Sequence, residues 1–240
     1  MKRAPIVSVS QLSTFSSQPR RVSRAFTLIE LLVVVGIIAL IAAGIGLSLG
    51  DTGGSALTSA QNTLATLVGQ ARAQAAVNQT EARLLIYAVR PPSGDVEKYL
   101  RLVQVFTNTS TNSASQTWTP VGSPVYLPRG VYLVPTTTTG LLASGVTWPV
   151  NPTPVSKNLG TAGSPGQPVG TAFNGAATVF YLEFKPDGSL NPVTTPYTQL
   201  AVATGTLTNN IPQFTNAAAV RGLLIRPTGA VSFVNDVSSF

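Results

Sequence analysis

Between Leu31 and Leu49 the chain runs through nineteen consecutive residues without a charge, rich in Leu, Ile, Val, Ala and Gly. That is close to the roughly 20 residues a helix needs to cross a hydrocarbon core, so the run reads as a membrane-spanning helix. Arg20, Arg21 and Arg24 stand in front of it and no comparable basic group follows. This asymmetry places the N-terminus in the cytoplasm and the C-terminal body on the far side. A secretory signal peptide also pairs a basic start with an apolar run. Here the run is longer than a usual signal core, lacks a small-x-small cleavage pattern at its end, and has Glu30 at its start. An acidic side chain toward the bilayer interior costs about 2.5 to 3.5 kcal/mol, so Glu30 calls for a cationic partner.

The formal charge of +7 suggests a nucleic-acid binder until the charges are located. Lys2, Arg3, Arg20, Arg21 and Arg24 precede residue 26 with no acid among them, leaving ten of the fifteen Lys and Arg against all eight acids. The basic character therefore belongs to the first segment and the body is nearly neutral. The chain has no Cys and no His, which removes disulfides, thiolate zinc sites, the commonest general base and every His-containing triad. Asp51, Glu81, Asp95, Glu97, Glu183, Asp187 and Asp236 show no spacing that demands a catalytic pair. No glycine-rich phosphate loop follows a strand pattern. The sequence implies neither an enzyme nor a cofactor nor a metal site.

The run Arg24-Ala25-Phe26-Thr27-Leu28-Ile29-Glu30-Leu31-Leu32-Val33-Val34 resembles the type IV prepilin processing site: a small residue, then Phe, then Glu four positions later. The family has Gly before the cut where this chain has Ala25. The resemblance implies a prepilin peptidase and methyltransferase that cleaves between Ala25 and Phe26 and N-methylates Phe26. It also implies that Glu30 pairs with a neighbouring subunit's N-terminal amine during filament assembly, each charge making the other tolerable in apolar surroundings.

Beyond the apolar run, Gly50, Gly53 and Gly54 interrupt the helical pattern; Gly costs about 1 kcal/mol relative to Ala inside a helix, so a kink or locally melted stretch is expected. The pattern resumes with Leu57, Ala60, Leu64, Leu67, Val68, Ala71 and Ala75, an apolar face that should lie against a sheet. Arg72 and Arg83 read as solvated charges. Residues 83–89 and 99–106 form a hairpin pattern around Pro91-Pro92-Ser93-Gly94-Asp95. Short strands are expected at 118–121, 125–127 and 130–134, then at 178–185 with its partner 200–204. A closing pair, 223–226 and 230–234, is joined by Pro227-Thr228-Gly229. Residues 136–175 read as a long surface excursion with a short strand near 146–148, a place where a partner is met or where nothing happens.

The body also resembles the H-type minor pseudopilins of type II secretion and the related FimT-like minor pilins. The resemblance lies in Ala71-Arg72-Ala73-Gln74-Ala75, in Trp118-Thr119-Pro120-Val121 with Tyr126-Leu127-Pro128-Arg129-Gly130-Val131, in Phe184-Lys185-Pro186-Asp187-Gly188, and in Ile225-Arg226-Pro227-Thr228-Gly229-Ala230-Val231. Pro-Asp-Gly and Pro-Thr-Gly are also ordinary turn chemistry, and Asp187 reads as a turn residue and not a metal ligand. The expected fold is α+β and pilin-like, a long N-terminal hydrophobic helix packed on an antiparallel β-sheet head domain. Residues 1–25 are expected to be a removed basic leader, 26–50 a transmembrane and filament-core helix, 51–81 an amphipathic half-helix, and 82–240 a periplasmic head. The implied function is a minor pseudopilin or pilin of a type II secretion pseudopilus or type IV pilus. Its implied partners are other pilins or pseudopilins, an inner-membrane assembly platform and, before assembly, membrane lipid. The alternative is DNA binding during uptake, through a patch at Arg221 and Arg226; the bland reading of both is solvated strand charge.

Overall fold

The computed structural model describes residues 27–48, 52–110, 116–150, 152–163, 172–173, 178–191 and 196–240, with backbone alone at 40–48, 52, 162 and 163. The leader, Ala25, Phe26, Leu49, Gly50 and Asp51 lie outside the described residues. The chain divides into two units, Met1–Leu49 and Gly50–Phe240. The first contains α1 (Leu28–Ser48).

The second unit opens with α2 (Thr52–Asn78). Gly53 and Gly54 sit in its first turn and do not interrupt it, because an N-terminal turn has few intrahelical bonds to lose. Leu57, Ala60, Leu64, Leu67, Val68, Ala71 and Ala75 are all buried, so the spacing by threes and fours is the packing face of this helix.

That face rests on two antiparallel sheets. The first has the order β3 (Trp118–Tyr126), β2 (Leu102–Asn108), β1 (Ala82–Tyr87), β6 (Thr178–Phe184), β5 (Gly160–Gly163), with β7 (Leu190–Asn191) also on β6. The second runs β11 (Val231–Val234), β10 (Val220–Ile225), β8 (Thr198–Thr208), β4 (Val131–Leu133), with β9 (Ile211–Phe214) also on β8. Alternation along β1 explains why the first sheet is covered twice. Leu84 and Ile86 join the core under α2, while Leu85 and Tyr87 join a second cluster with Leu102, Phe106, Trp118 and Phe173 on the other face.

Backbone hydrogen bonds tie a strand of each sheet to a turn adjoining the other, at two separate places. Leu133 N–H donates to Leu100 O at 2.8 Å, and Leu190 N–H donates to Pro227 O at 2.9 Å. Gln61, buried on α2, donates through Nε2 to Gly222 O at 2.7 Å and Val234 O at 2.8 Å, tying the helix to β10 and β11.

Several expectations change. The partner expected for the 178–185 strand was 200–204, but β6 and β8 belong to different sheets; β6 pairs with β1 and β8 with β10. The segments 118–121 and 125–127 are one strand whose register against β2 shifts between Val103 and Val105. No strand forms at 146–148; Trp148 instead stacks 5.4 Å from Phe214 and donates Nε1–H to Ala217 O at 3.1 Å. The 136–175 excursion is not simply a surface loop. It contributes Leu141, Val155, Ser156 and Phe173 to the buried interior, together with strand β5. The segment from Val134 to Ser156 is closed at its base by Ser156 N–H to Val134 O at 2.9 Å and Thr136 Oγ1–H to Ser156 O at 2.8 Å.

Candidate functional site

The first turn of α1 carries a reciprocal cap. Thr27 donates its N–H and its hydroxyl to Glu30 Oε2, each at 2.9 Å, and Glu30 N–H donates to Thr27 Oγ1 at 3.3 Å. This is a capping box, with Thr at the N-cap and Glu at the third helical position. The carboxylate also lies at the positive end of the helix dipole. The sequence asked for a cation beside Glu30; within the chain, Thr27 supplies the partner. The signal that finds it is the spacing Thr27-Leu28-Ile29-Glu30, a T-x-x-E in front of an apolar run.

Behind this cap the helix is apolar on every side. Leu28, Ile29, Leu31, Leu32, Val33, Val34, Val35, Ile37 and Ile38 are all more than 45 % exposed. A helix with no polar face has no side suited to water. Among the described residues no helix is long and apolar enough to cross a membrane, and the described side chains of α1 end at Ala39.

Residues 20–46 match the family model of the prokaryotic N-terminal methylation motif. The chain carries a prepilin-type methylation motif. The motif spans the basic residues Arg20, Arg21 and Arg24, the Ala25–Phe26 junction, the capping box and most of α1. No curated protein matches the chain. Among solved structures it is similar to the type IV minor pilin FimU of Pseudomonas aeruginosa, at 15 % identity over 73 % of this chain and 86 % of that one, TM-score 0.39. It is also similar to the minor pseudopilin EpsH from the type 2 secretion system of Vibrio cholerae, at 8 % identity over 72 % and 91 %, TM-score 0.35.

Outside the methylation motif, the cations singled out in the sequence are scattered. Arg83 is half-buried and paired: it meets buried Glu183 and lies against the rings of Trp118 and Tyr181, 4.0 and 4.4 Å from their centroids. Asn191 also donates to Glu183. Arg72 is exposed at its head, but its stem runs over two glycines, at the tips of the β6–β7 and β10–β11 turns. Arg221 and Arg226 are not brought together. They are five residues apart along β10 and its end, roughly 17 Å in an extended strand, and point to opposite faces. Arg221 lines a cavity of about 340 Å³ with Gly53, Leu57, Asn216 and Asn235.

The two turns under Arg72 share one construction. Lys185 N–H donates to Ser189 O and Gly188 N–H to Lys185 O, each at 2.8 Å; Arg226 with Ala230 and Gly229 with Arg226 repeat both bonds at 2.8 Å. Gly188 and Gly229 have φ of 78° and 79°, the left-handed position of a three-residue hairpin loop, with Pro setting the preceding turn. Asp187 Oδ1 accepts from Ser189 N–H at 2.8 Å and from its hydroxyl at 2.6 Å. These bonds hold the Asp187 carboxyl below its ordinary range.

A second cleft, of about 810 Å³, follows α2 past Ser55, Ser59, Asn62, Thr66 and Gln70 to Val125, and no titratable side chain lines it. Among the described residues no group of three or more Asp, Glu, Cys or His side chains is placed to hold a metal.

Proposed function

We propose that the chain is a minor pilin or pseudopilin, stored in the inner membrane through residues 26–50 and assembled into an envelope-spanning filament. The observation that carries this reading is α1 itself: apolar, exposed all round from Leu28 to Ile38, and headed by a capped carboxylate inside a methylation motif. Such a helix suits a bilayer first and a bundle of like helices afterwards. The uncharged run from Leu31 to Leu49 supplies the spanning length, and the basic cluster before it keeps the leader in the cytoplasm.

Cleavage between Ala25 and Phe26 by a prepilin peptidase leaves a cationic amine on Phe26, four positions before Glu30. Glu30 Oε2 takes both bonds from Thr27, so Oε1 is the atom offered to a neighbouring subunit's amine. The protein is a structural subunit and not an enzyme; the head acts as the surface that other pilins or pseudopilins and the assembly platform meet. Arg221 and Arg226 offer no shared patch for a phosphate backbone, so protein export or pilus assembly is favoured over DNA uptake.

The test is the mature N-terminus. Protein purified from membranes of cells carrying the prepilin peptidase should begin at N-methyl-Phe26 by intact mass and terminal sequencing. Glu30→Ala should still be cleaved but enter filaments poorly. A chain still bearing residues 1–25, or cut after Leu49, ends this reading.

A further inference from the structure

No residue just before α1 is a helix breaker. Between Pro19 and Thr27 there is neither Gly nor Pro, and Arg20, Arg21, Arg24 and Ala25 are good helix formers, Ala the best of all. By propensity α1 could run back through the Ala25–Phe26 junction. In such a helix the Ala25 carbonyl would accept from Ile29 N–H and the Phe26 carbonyl from Glu30 N–H. The capping box occupies donors that this extension needs. Glu30 N–H is bonded to Thr27 Oγ1 at 3.3 Å, and Thr27 N–H to Glu30 Oε2 at 2.9 Å. The described helix opens instead on the bond from Leu31 N–H to Thr27 O, at 3.2 Å. Its start at Leu28, past the junction, is set by Thr27 acting as the cap.

We propose that Thr27 is a positioning residue for removal of the leader: by stopping α1 where it does, it keeps the scissile carbonyl out of the helical ladder and open to the peptidase. Hydrolysis adds one water across the Ala25–Phe26 amide and leaves a carboxylate on Ala25 and an ammonium on Phe26. The water attacks the carbonyl carbon, and the oxygen takes up negative charge that donors of the peptidase must meet. A carbonyl oxygen committed to Ile29 N–H could not meet them. Glu30 supports the cap without deciding it. When its carboxylate is removed, the Thr27 hydroxyl still holds the amide of residue 30, so cleavage survives Glu30→Ala while assembly suffers. One capping box thereby serves two successive steps, Thr27 the cut and Glu30 the filament. This role rests on the cleavage site proposed above.

The full chain in membrane vesicles, incubated with a saturating excess of purified prepilin peptidase, gives the rate of leader removal by intact mass. Thr27→Val keeps the shape of the side chain and removes its oxygen, and the rate should fall about five-fold or more. Thr27→Asn, a strong cap of different shape, should stay within roughly two-fold of the unaltered chain. Ala25→Gly weakens the helix at the junction and should shrink the Thr27→Val deficit to roughly two-fold. Amide exchange reads the helix start without the enzyme: the Ile29 amide should gain protection in Thr27→Val and not in Thr27→Asn. A peptidase that reads the hydroxyl itself would accept Thr27→Ser and reject Thr27→Asn, and that result overturns the proposal. So does a Thr27→Val chain cut at the unaltered rate, provided the unaltered chain is cut at Ala25–Phe26. An unaltered chain that is not cut there removes the cleavage reading first, and the role of Thr27 with it.

Discussion

Gly229→Ala tests whether the two matched turns are a packed junction or merely two hairpin ends. A methyl group at position 229 meets two costs. The φ of 79° is a left-handed conformation worth about 1 to 2 kcal/mol for a residue with a Cβ. The added carbon would also stand 2.5 Å from Gly188 O and 2.9 Å from Arg72 Cδ. Arg72 can swing its stem aside, but the Gly188 carbonyl belongs to the facing turn and moves only if that turn moves. Overpacking of this kind costs typically about 1 to 3 kcal/mol. Together the change should destabilise the head by about 3 kcal/mol, or roughly 6 to 12 °C in Tm for a unit of this size. Gly145→Ala is the internal standard, with nearly the same φ of 81° and nothing within 4 Å of an added Cβ. It should lose only the conformational part, about 1 to 2 kcal/mol. Urea and thermal unfolding of the detergent-solubilised chain, followed by Trp118 and Trp148 fluorescence, reads both. Equal losses at the two positions would refute the packed junction, as would complete recovery of Gly229→Ala by Arg72→Ala, which removes the side-chain obstacle but not the carbonyl.

Gln61→Ala should cost about 2 kcal/mol, since it removes the donor to two interior carbonyls and leaves a small void; urea midpoints with an unchanged m-value would confirm a purely native-state loss. Glu183→Ala leaves the half-buried Arg83 against two rings without its carboxylate and should cost about 2 kcal/mol, whereas replacing both with apolar residues should recover much of it in a double-mutant cycle. The lowered Asp187 carboxyl contributes stability that is present above the ordinary Asp range near pH 4 and is lost as pH falls through its depressed folded value. Asp187→Asn should therefore flatten the acid limb of a urea-midpoint profile between about pH 5 and 2, and an unchanged limb would reject that role.

The parts of the fold that local rules govern were readable from residues alone. The packing face of α2 follows from the spacing of seven apolar residues, and both Pro-x-Gly turns follow from chemistry confined to five residues. What lay beyond reach was the choice of partner between distant strands. β6 and β8 are both largely buried strands, and nothing in either says that β6 is claimed by β1, whose register runs from Ala82 with Phe184 to Tyr87 with Val179. The β8–β9 hairpin did carry a readable sign: Asn209-Asn210, with φ of 52° and 63°, occupies the two positions a tight hairpin gives to residues tolerant of the left-handed region. Strand β5, Gly160-Thr161-Ala162-Gly163, carries no such sign. Its first glycine is there because the ring of Tyr181 would lie 2.2 Å from any Cβ. At the N-terminus Glu30 stands out as a lone acid before an apolar run, and the T-x-x-E spacing that pairs it with Thr27 is present in the sequence as well.

Two backbone bonds, Leu133 to Leu100 and Leu190 to Pro227, fasten a strand of each sheet to a turn that leads into or out of the other. Separating the sheets breaks both bonds and takes from α2 part of the floor it packs on. The amides of Leu133 and Leu190, though each lies at the rim of a short strand, should exchange with deuterium as slowly as those in the middle of β1 and β8. Fast exchange at either amide would mean that the two sheets part before the head unfolds.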